Sequence, residues 1–259
     1  MCYCEDTEVA SMKWVREHIP DFPLPPVLAY QSDATRSDLD GCAEYILMGK
    51  VPGVPLQLLE PVPPPPQTST LPNFVVALTF FFLQTLNEED QRKVERQIIK
   101  WIIALRKASI GLSSQVGALT SQSATTTASA TQQMVLGPIL TDGPPLGPFP
   151  FWSDHIIQSV RWAITEIHRS PYLGGSNERK EESETICLRL ETFLETTVAA
   201  YAAREREDKQ DHEGGNNSEL FSLCYDDWHP GNIMVDPDTL NITAILDWEH
   251  AKYSTHLIC

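Results

Sequence analysis

An α+β fold is predicted for this chain, and three observations carry the prediction. Amphipathic helical periods recur along it, short apolar runs bounded by Pro and Gly stand near its start, and two such runs flank a turn near its end. Its 259 residues suffice for one large domain or two smaller lobes with a real core.

The first helix is read from Thr7, where Val9, Met12 and Val15, with Ala10 and Trp14 beside them, recur every three to four positions until Pro20. "FPLPPVLAY" is a Pro-restricted connection into a strand, because each Pro biases the residue before it to extended angles. A polar turn at 31–41 leads to a second strand from Tyr45 to Met48, closed by Gly49 and the turn pair Pro52-Gly53. Residues 61–72, "PVPPPPQTSTLP", form no packed element, and the apolar segment after them has no amphipathic period. We therefore expect an insertion at about 60–86. "LTFFFLQ" is what translation of a branch point, a pyrimidine tract and a terminal CAG would give, so part of 54–85 is expected to be translated intron, a genuine insertion being the alternative.

A clean helix follows in "LNEEDQRKVERQIIKWIIALRKA": Asn87 can cap it, acids occupy its first turn, and Val94, Ile98, Trp101, Ile102 and Leu105 form its buried stripe. The Ser/Thr-rich residues 113–133 read as a loop, and Pro and Gly keep 137–150 irregular. Helices are expected at about 151–169 and 183–205, then a solvated charged loop, "REREDKQDHEGGNN". "NIMVD" and "ITAILDW" flank "PDTLN", which is a hairpin signal, and place a hairpin within 224–250.

Composition excludes some functions. A net charge of -16 with no Lys/Arg-rich run argues against nucleic-acid binding. The longest apolar stretch, at 74–86, falls short of the roughly 18 residues of a membrane span, and "MCYCEDTEVAS" lacks the basic and apolar regions of a signal peptide. No membrane association is expected. Cysteines at 2, 4, 42, 187, 224 and 259 lack paired metal or redox spacing, and all six are read as free thiols of a reducing, cytoplasmic compartment.

The chemistry lies in "CYDDWHPGNIMVD". Phosphoryl transfer needs a carboxylate to orient the attacking hydroxyl and oxygen ligands for Mg²⁺. Asp227, then Asn232 five positions on, then Asp247 after a hairpin's length stand in the order in which kinases supply these groups. His229-Pro230-Gly231 forms a rigid turn that lets Asn232 point back towards the carboxylate. Either fragment alone is an ordinary turn; joined to "ILDWE" and a hairpin, the set is specific.

"DWHPGNIMVDPDTLNITAILDWEHA" resembles the catalytic and metal-binding segment of the aminoglycoside phosphotransferase family, the small-molecule branch of the protein-kinase-like fold, and most closely its fungal members. "EVASMKWVREHIPDFPLPPVLAYQSD" resembles the family's first-lobe helix and strand, and "YILMGKVPGVPL" its hinge. The resemblance implies a two-lobe protein-kinase-like fold. Residues 1–52 would be a partial N-terminal lobe and 53–259 a mostly helical C-terminal lobe. It implies Asp227 as catalytic base or hydroxyl-orienting group, and Asn232 and Asp247 as Mg²⁺ ligands. Adenine would be held at the hinge by Met48, Gly49 and Val51, through the Gly49 carbonyl and the Val51 amide. Glu8 takes the place of the helix acid that pairs with the phosphate-binding lysine, an exposed first-turn acid being the alternative. The cofactors implied are ATP or GTP with Mg²⁺, and the partner is a small-molecule hydroxyl acceptor; the oligomeric state is not legible.

The chain departs from that family. No Gly-rich hairpin or strand lysine precedes Glu8, Lys13 and Lys50 stand where they do not reach phosphates, and we expect truncation at both ends. The usual His-Gly-Asp reads Tyr225-Asp226-Asp227, which removes a supporting His and adds a carboxylate near the metal site. The expected function is transfer of the γ-phosphoryl group of ATP or GTP to a small-molecule hydroxyl. The alternative is a catalytically dead, pseudokinase-like or protein-binding remnant; a hydrolase using Asp227 and Asp247 would lack a Ser or Cys nucleophile motif.

Overall fold

The computed structural model describes residues 4–31, 45–59, 86–121, 134–139, 144–170, 177–211 and 221–255. Almost all of the expected insertion lies outside the described residues. The architecture is mixed α+β, as the periodicities predict, with several small antiparallel sheets. None of the described helices is long and apolar enough to cross a membrane.

Helix α1 (Cys4–His18) buries Val9, Ala10, Met12, Trp14 and Val15, the residues whose spacing predicts it. Strand β1 (Val27–Gln31) pairs antiparallel with β2 (Tyr45–Met48). Gly53 has φ +96°, and a Cβ there would run into the Val235 carbonyl oxygen, so only glycine fits the turn. That turn delivers β3 (Val54–Pro55) onto the C-terminal hairpin, β7 (Ile233–Val235) and β8 (Ile242–Ile245), in the order β3-β7-β8. The hairpin register pairs Ile233 with Ile245 and Met234 with Ala244.

Helix α2 (Glu88–Ser109) is capped by Asn87, whose Oδ1 accepts from the amides of Glu89 and Asp90 at 3.1 and 3.0 Å. Its stripe is buried at Val94, Ile98 and Leu105 and half-buried at Trp101 and Ile102. Gln97 on this helix clamps the hairpin: its Nε2 donates to the Leu240 carbonyl and its Oε1 accepts from the Ile242 amide, both at 2.9 Å. The Ser109 hydroxyl accepts from the Leu223 amide at 2.8 Å, tying α2 to β6 (Phe221–Cys224). Strand β6 pairs with β9 (Lys252–Thr255), and Gly117 bonds Tyr253 in both directions at the edge of β9.

Three expectations change. The stretch read as a Ser/Thr-rich loop contains strand β4 (Ala118–Ser121), which pairs with β5 (Met134–Gly137); Val116, Ala118 and Leu119 are buried, so cross-strand partners override polar composition. Helix α3 (Trp152–Arg169) forms as expected. Helices α4 (Asn177–Phe193) and α5 (Ala199–Asp211), joined by a π turn at Leu194–Val198, extend past both expected ends. Much of the charged run read as a loop is therefore helix. Glu205 accepts from the Trp152 and Ser153 amides at 2.9 and 3.2 Å, a carboxylate placed on the positive end of α3. Arg206 pairs with Asp154 at 2.8 Å. Finally, Cys224 is disulfide-bonded, against the reading of six free thiols, while Cys187 is free and buried.

The core under the C-terminal hairpin is a run of aromatic rings. Trp101 meets Phe22 at 5.1 Å, Phe22 meets Trp248 at 5.5 Å, Trp248 meets Tyr225 at 4.8 Å, and Tyr225 meets Trp228 at 5.0 Å. Tilted and edge-on contacts of this kind are favoured by ring quadrupoles. The run includes Trp228 and Trp248, the residues that immediately follow Asp227 and Asp247.

Candidate functional site

Three successive residues after β6 are each anchored to a different part of the chain. Tyr225 turns inward, is buried, and its hydroxyl donates to the Leu246 carbonyl at 2.6 Å. Asp226 turns outward and forms an ion pair with Lys252 on β9. Asp227 Oδ2 accepts from Asn232 Nδ2 at 2.6 Å.

The turn between Asp227 and Asn232 is closed by its own backbone. His229 N donates to Asp227 O at 2.7 Å, Asn232 N donates to His229 O at 2.8 Å, and Gly231 N donates to His229 Nδ1 at 3.0 Å. Gln57 N, in the turn after β3, donates to Pro230 O at 3.2 Å and holds the loop from the other side.

Asp247 follows β8 with φ 61°, a left-handed conformation that Asp tolerates better than most residues but that still carries strain. The residue before it, Leu246, donates its amide to the Asn232 carbonyl at 2.8 Å, so the start and end of the hairpin are joined at this point. The residue after it, Trp248, is fully buried, with its indole N–H on the Ile245 carbonyl at 3.0 Å. The Trp248 amide donates to Glu8 Oε1 at 3.3 Å. Glu8 is thus half-buried and tied to the Asp247 segment, rather than an exposed first-turn acid.

The electrostatics register the same convergence. Tyr225 is held protonated far above its ordinary range, first by burial and then by the charge of Asp227, with Asp247 and Glu8 adding to it and the Asn232 hydrogen bond opposing. Carboxylates from α1, from the loop and from the end of the hairpin act together on one hydroxyl. Among the described residues, no group of three or more His, Cys, Asp or Glu side chains is close enough to hold a metal ion. A Mg²⁺ site of one or two carboxylates completed by an amide oxygen and substrate phosphates needs no such group. Asn232 suits that role: its Nδ2 is committed to Asp227, which leaves its Oδ1 as the oxygen donor.

The adenine-binding residues expected at 48–51 sit on a separate element, linked to the loop through β3 and β7. Met48 pairs with Val27, and Gly49 donates its amide to Pro26 O at 2.8 Å. A Cβ on Gly49 would come within 2.6 Å of Pro26 Cγ. The Gly49 carbonyl and the Val51 amide make no hydrogen bond among the described residues. Thr243 on β8 donates to the Pro52 carbonyl at 2.7 Å, fixing this segment to the hairpin.

Two residues went unassigned in the sequence. Tyr225 stands where a supporting His is missing and performs a supporting role through Leu246. Lys252 answers the added carboxylate of Asp226, which is therefore not a bare charge beside the site. The signal for Lys252 was its distance of one hairpin and one strand from Asp226, readable only once β6 is known to pair with β9.

Residues 6–256 match the family described as phosphotransferase enzyme family, APH. No curated protein and no solved structure matches the chain.

Proposed function

The chain belongs to the phosphotransferase enzyme family, and from that premise we propose that it transfers the γ-phosphoryl group of ATP or GTP to a hydroxyl of a small molecule. The reading takes 1–52 as a partial N-terminal lobe and 53–259 as the C-terminal lobe of a protein-kinase-like fold. What supports it most is the Asn232–Asp227 bond at 2.6 Å, which seats the Asn232 amide nitrogen on the Asp227 carboxylate at the start of the hairpin that leads to Asp247.

In this reading Asp227 accepts a hydrogen bond from the acceptor hydroxyl through the lone pairs that Asn232 leaves, aims its oxygen, and takes its proton as transfer proceeds. Asn232 Oδ1 and the Asp247 carboxylate hold Mg²⁺. When bound, the metal offsets charge on the phosphate oxygens. The Gly49 carbonyl and Val51 amide accept and donate to the base of the nucleotide, and Met48 lines that side. Glu8, through the Trp248 amide, fixes the backbone that carries Asp247.

The test is thermal. A ligand bound only by the folded state raises its melting temperature, by about 2.7 kcal/mol of stabilisation at a hundred times its Kd. ATP or GTP at millimolar concentration is expected to stabilise the protein when Mg²⁺ is present, with the effect lost on chelation and in Asp247→Asn. Absence of any Mg²⁺-dependent shift would overturn the reading and favour a remnant that binds no nucleotide.

A further inference from the structure

We propose that Lys252 is the countercharge of the nucleotide site: its ammonium cancels the Asp226 carboxylate, so that phosphates approach the Asp227 loop without meeting an additional negative charge. The inference rests on the phosphotransfer reading above and extends it to a residue outside the expected machinery.

The geometry is specific. Cys224 on β6 is opposite Lys252 on β9, and Asp226 lies two residues further along the chain. The pair is a diagonal one, and it forms just where the strand gives way to the loop. Its side chains are 18% and 32% exposed, so solvent screens it less than a surface pair. Asp226 is the immediate neighbour of Asp227, in a region where Asp227, Asp247 and Glu8 already act together on Tyr225.

His155, on which both members of the pair act, supplies no alternative cation, and neither do the groups gathered around Tyr225. Tyr225 stays protonated and neutral. His155, from the first turn of α3, is half-buried, with its Nδ1 enclosed and unpartnered among the described residues. Its pKa is lowered to about 4, by burial first and then by Lys252, with Asp226 opposing, so it is neutral at physiological pH. Glu8, Asp227 and Asp247 are acidic. With Lys252 neutralised, Asp226 would add one uncompensated negative charge beside the incoming phosphates. With Asp226 neutralised, Lys252 would become a free cation there. The two substitutions therefore act in opposite directions, which a purely structural brace cannot do.

The experiment measures the Kd of Mg·ATP by calorimetry for the full chain and for Lys252→Gln, Asp226→Asn, the double variant and Lys252→Arg. It is run at about 20 mM and about 300 mM salt, across which the Debye length falls from about 20 Å to about 6 Å. At low salt Lys252→Gln is expected to weaken binding about fivefold and Asp226→Asn to tighten it by a similar factor. The double variant and Lys252→Arg should return to within about twofold of wild type, and all differences should shrink at high salt. Weaker binding in both single variants, or differences insensitive to salt, would overturn the proposal. Should Lys252→Gln fail to fold, the sign of the Asp226→Asn effect still decides. If the wild-type chain binds Mg·ATP and both single variants match it, this inference alone falls; if the wild-type chain does not bind, the phosphotransfer reading falls first and takes the inference with it.

Discussion

The Tyr225 hydroxyl donates to the main-chain carbonyl of Leu246 at 2.6 Å, joining the residue two before Asp227 to the residue one before Asp247. One side chain thereby fixes the spacing of two backbones that carry carboxylates. Its ring completes the aromatic run from Trp248 to Trp228.

Tyr225→Phe keeps the ring contacts and deletes the bond, and is expected to destabilise the fold by about 1–3 kcal/mol in urea denaturation. A pH dependence accompanies it. The folded-state pKa of Tyr225 lies above its ordinary 10.0, so the stability it contributes is complete below that pH and is lost as pH rises beyond it. Alkaline unfolding monitored by circular dichroism should be less steep in the Phe variant.

His155 responds in the acid range. Its folded pKa, about 4, lies below the ordinary 6.5, so stability is complete above pH 6.5 and falls as pH drops through the interval to about 4. One proton bound this much more weakly by the folded state corresponds to a loss of at most about 3 kcal/mol. His155→Gln, with no ionisable ring, should flatten that part of the profile when denaturant midpoints are compared between neutral and acid buffers.

Asp247 separates stability from binding. Its φ of 61° strains any residue with a Cβ, and Asp and Asn least. Asp247→Asn should leave stability within about 0.5 kcal/mol of wild type while abolishing Mg²⁺-dependent stabilisation by ATP. Asp247→Ala should lose the same ligand response and about 1 kcal/mol of stability besides, read from thermal melts without ligand.

Gln97 bridges two main-chain groups of the hairpin, at Leu240 and Ile242. Gln97→Ala removes both bonds at once and is expected to cost about 2–3 kcal/mol. Hydrogen exchange should localise the effect, with the Ile242 amide losing protection before those of β6. Equal loss across both strands would refute a local clamp.

Much of the candidate site's local geometry was legible in the sequence, because its parts are close along the chain. Asp227 and Asn232 share one turn, and "HPG" fixes that turn whatever surrounds it. Asp247 is a hairpin away, and the short apolar runs "NIMVD" and "ITAILDW" flanking "PDTLN" mark the hairpin. The strands that brace it were harder to read. β3 is two residues long, and β4 lies in a Ser/Thr-rich stretch; both take their form from partners distant in sequence. Helix α5 ran through a charged segment read as a loop, because Glu205 and Arg206 find partners at the start of α3.

By itself, then, the sequence determined which faces of α1 and α2 are apolar, that Asn87 opens a helix, and that two acids and an amide stand at the ends of a β-ribbon. Period and turn chemistry are properties of short stretches and survive any arrangement of the rest. Only the tertiary structure decided that Tyr225 reaches Leu246, that Lys252 meets Asp226, and that Glu8 holds the amide of Trp248 from 240 positions away. Those bonds depend on the path of the chain between their partners, which no local pattern encodes.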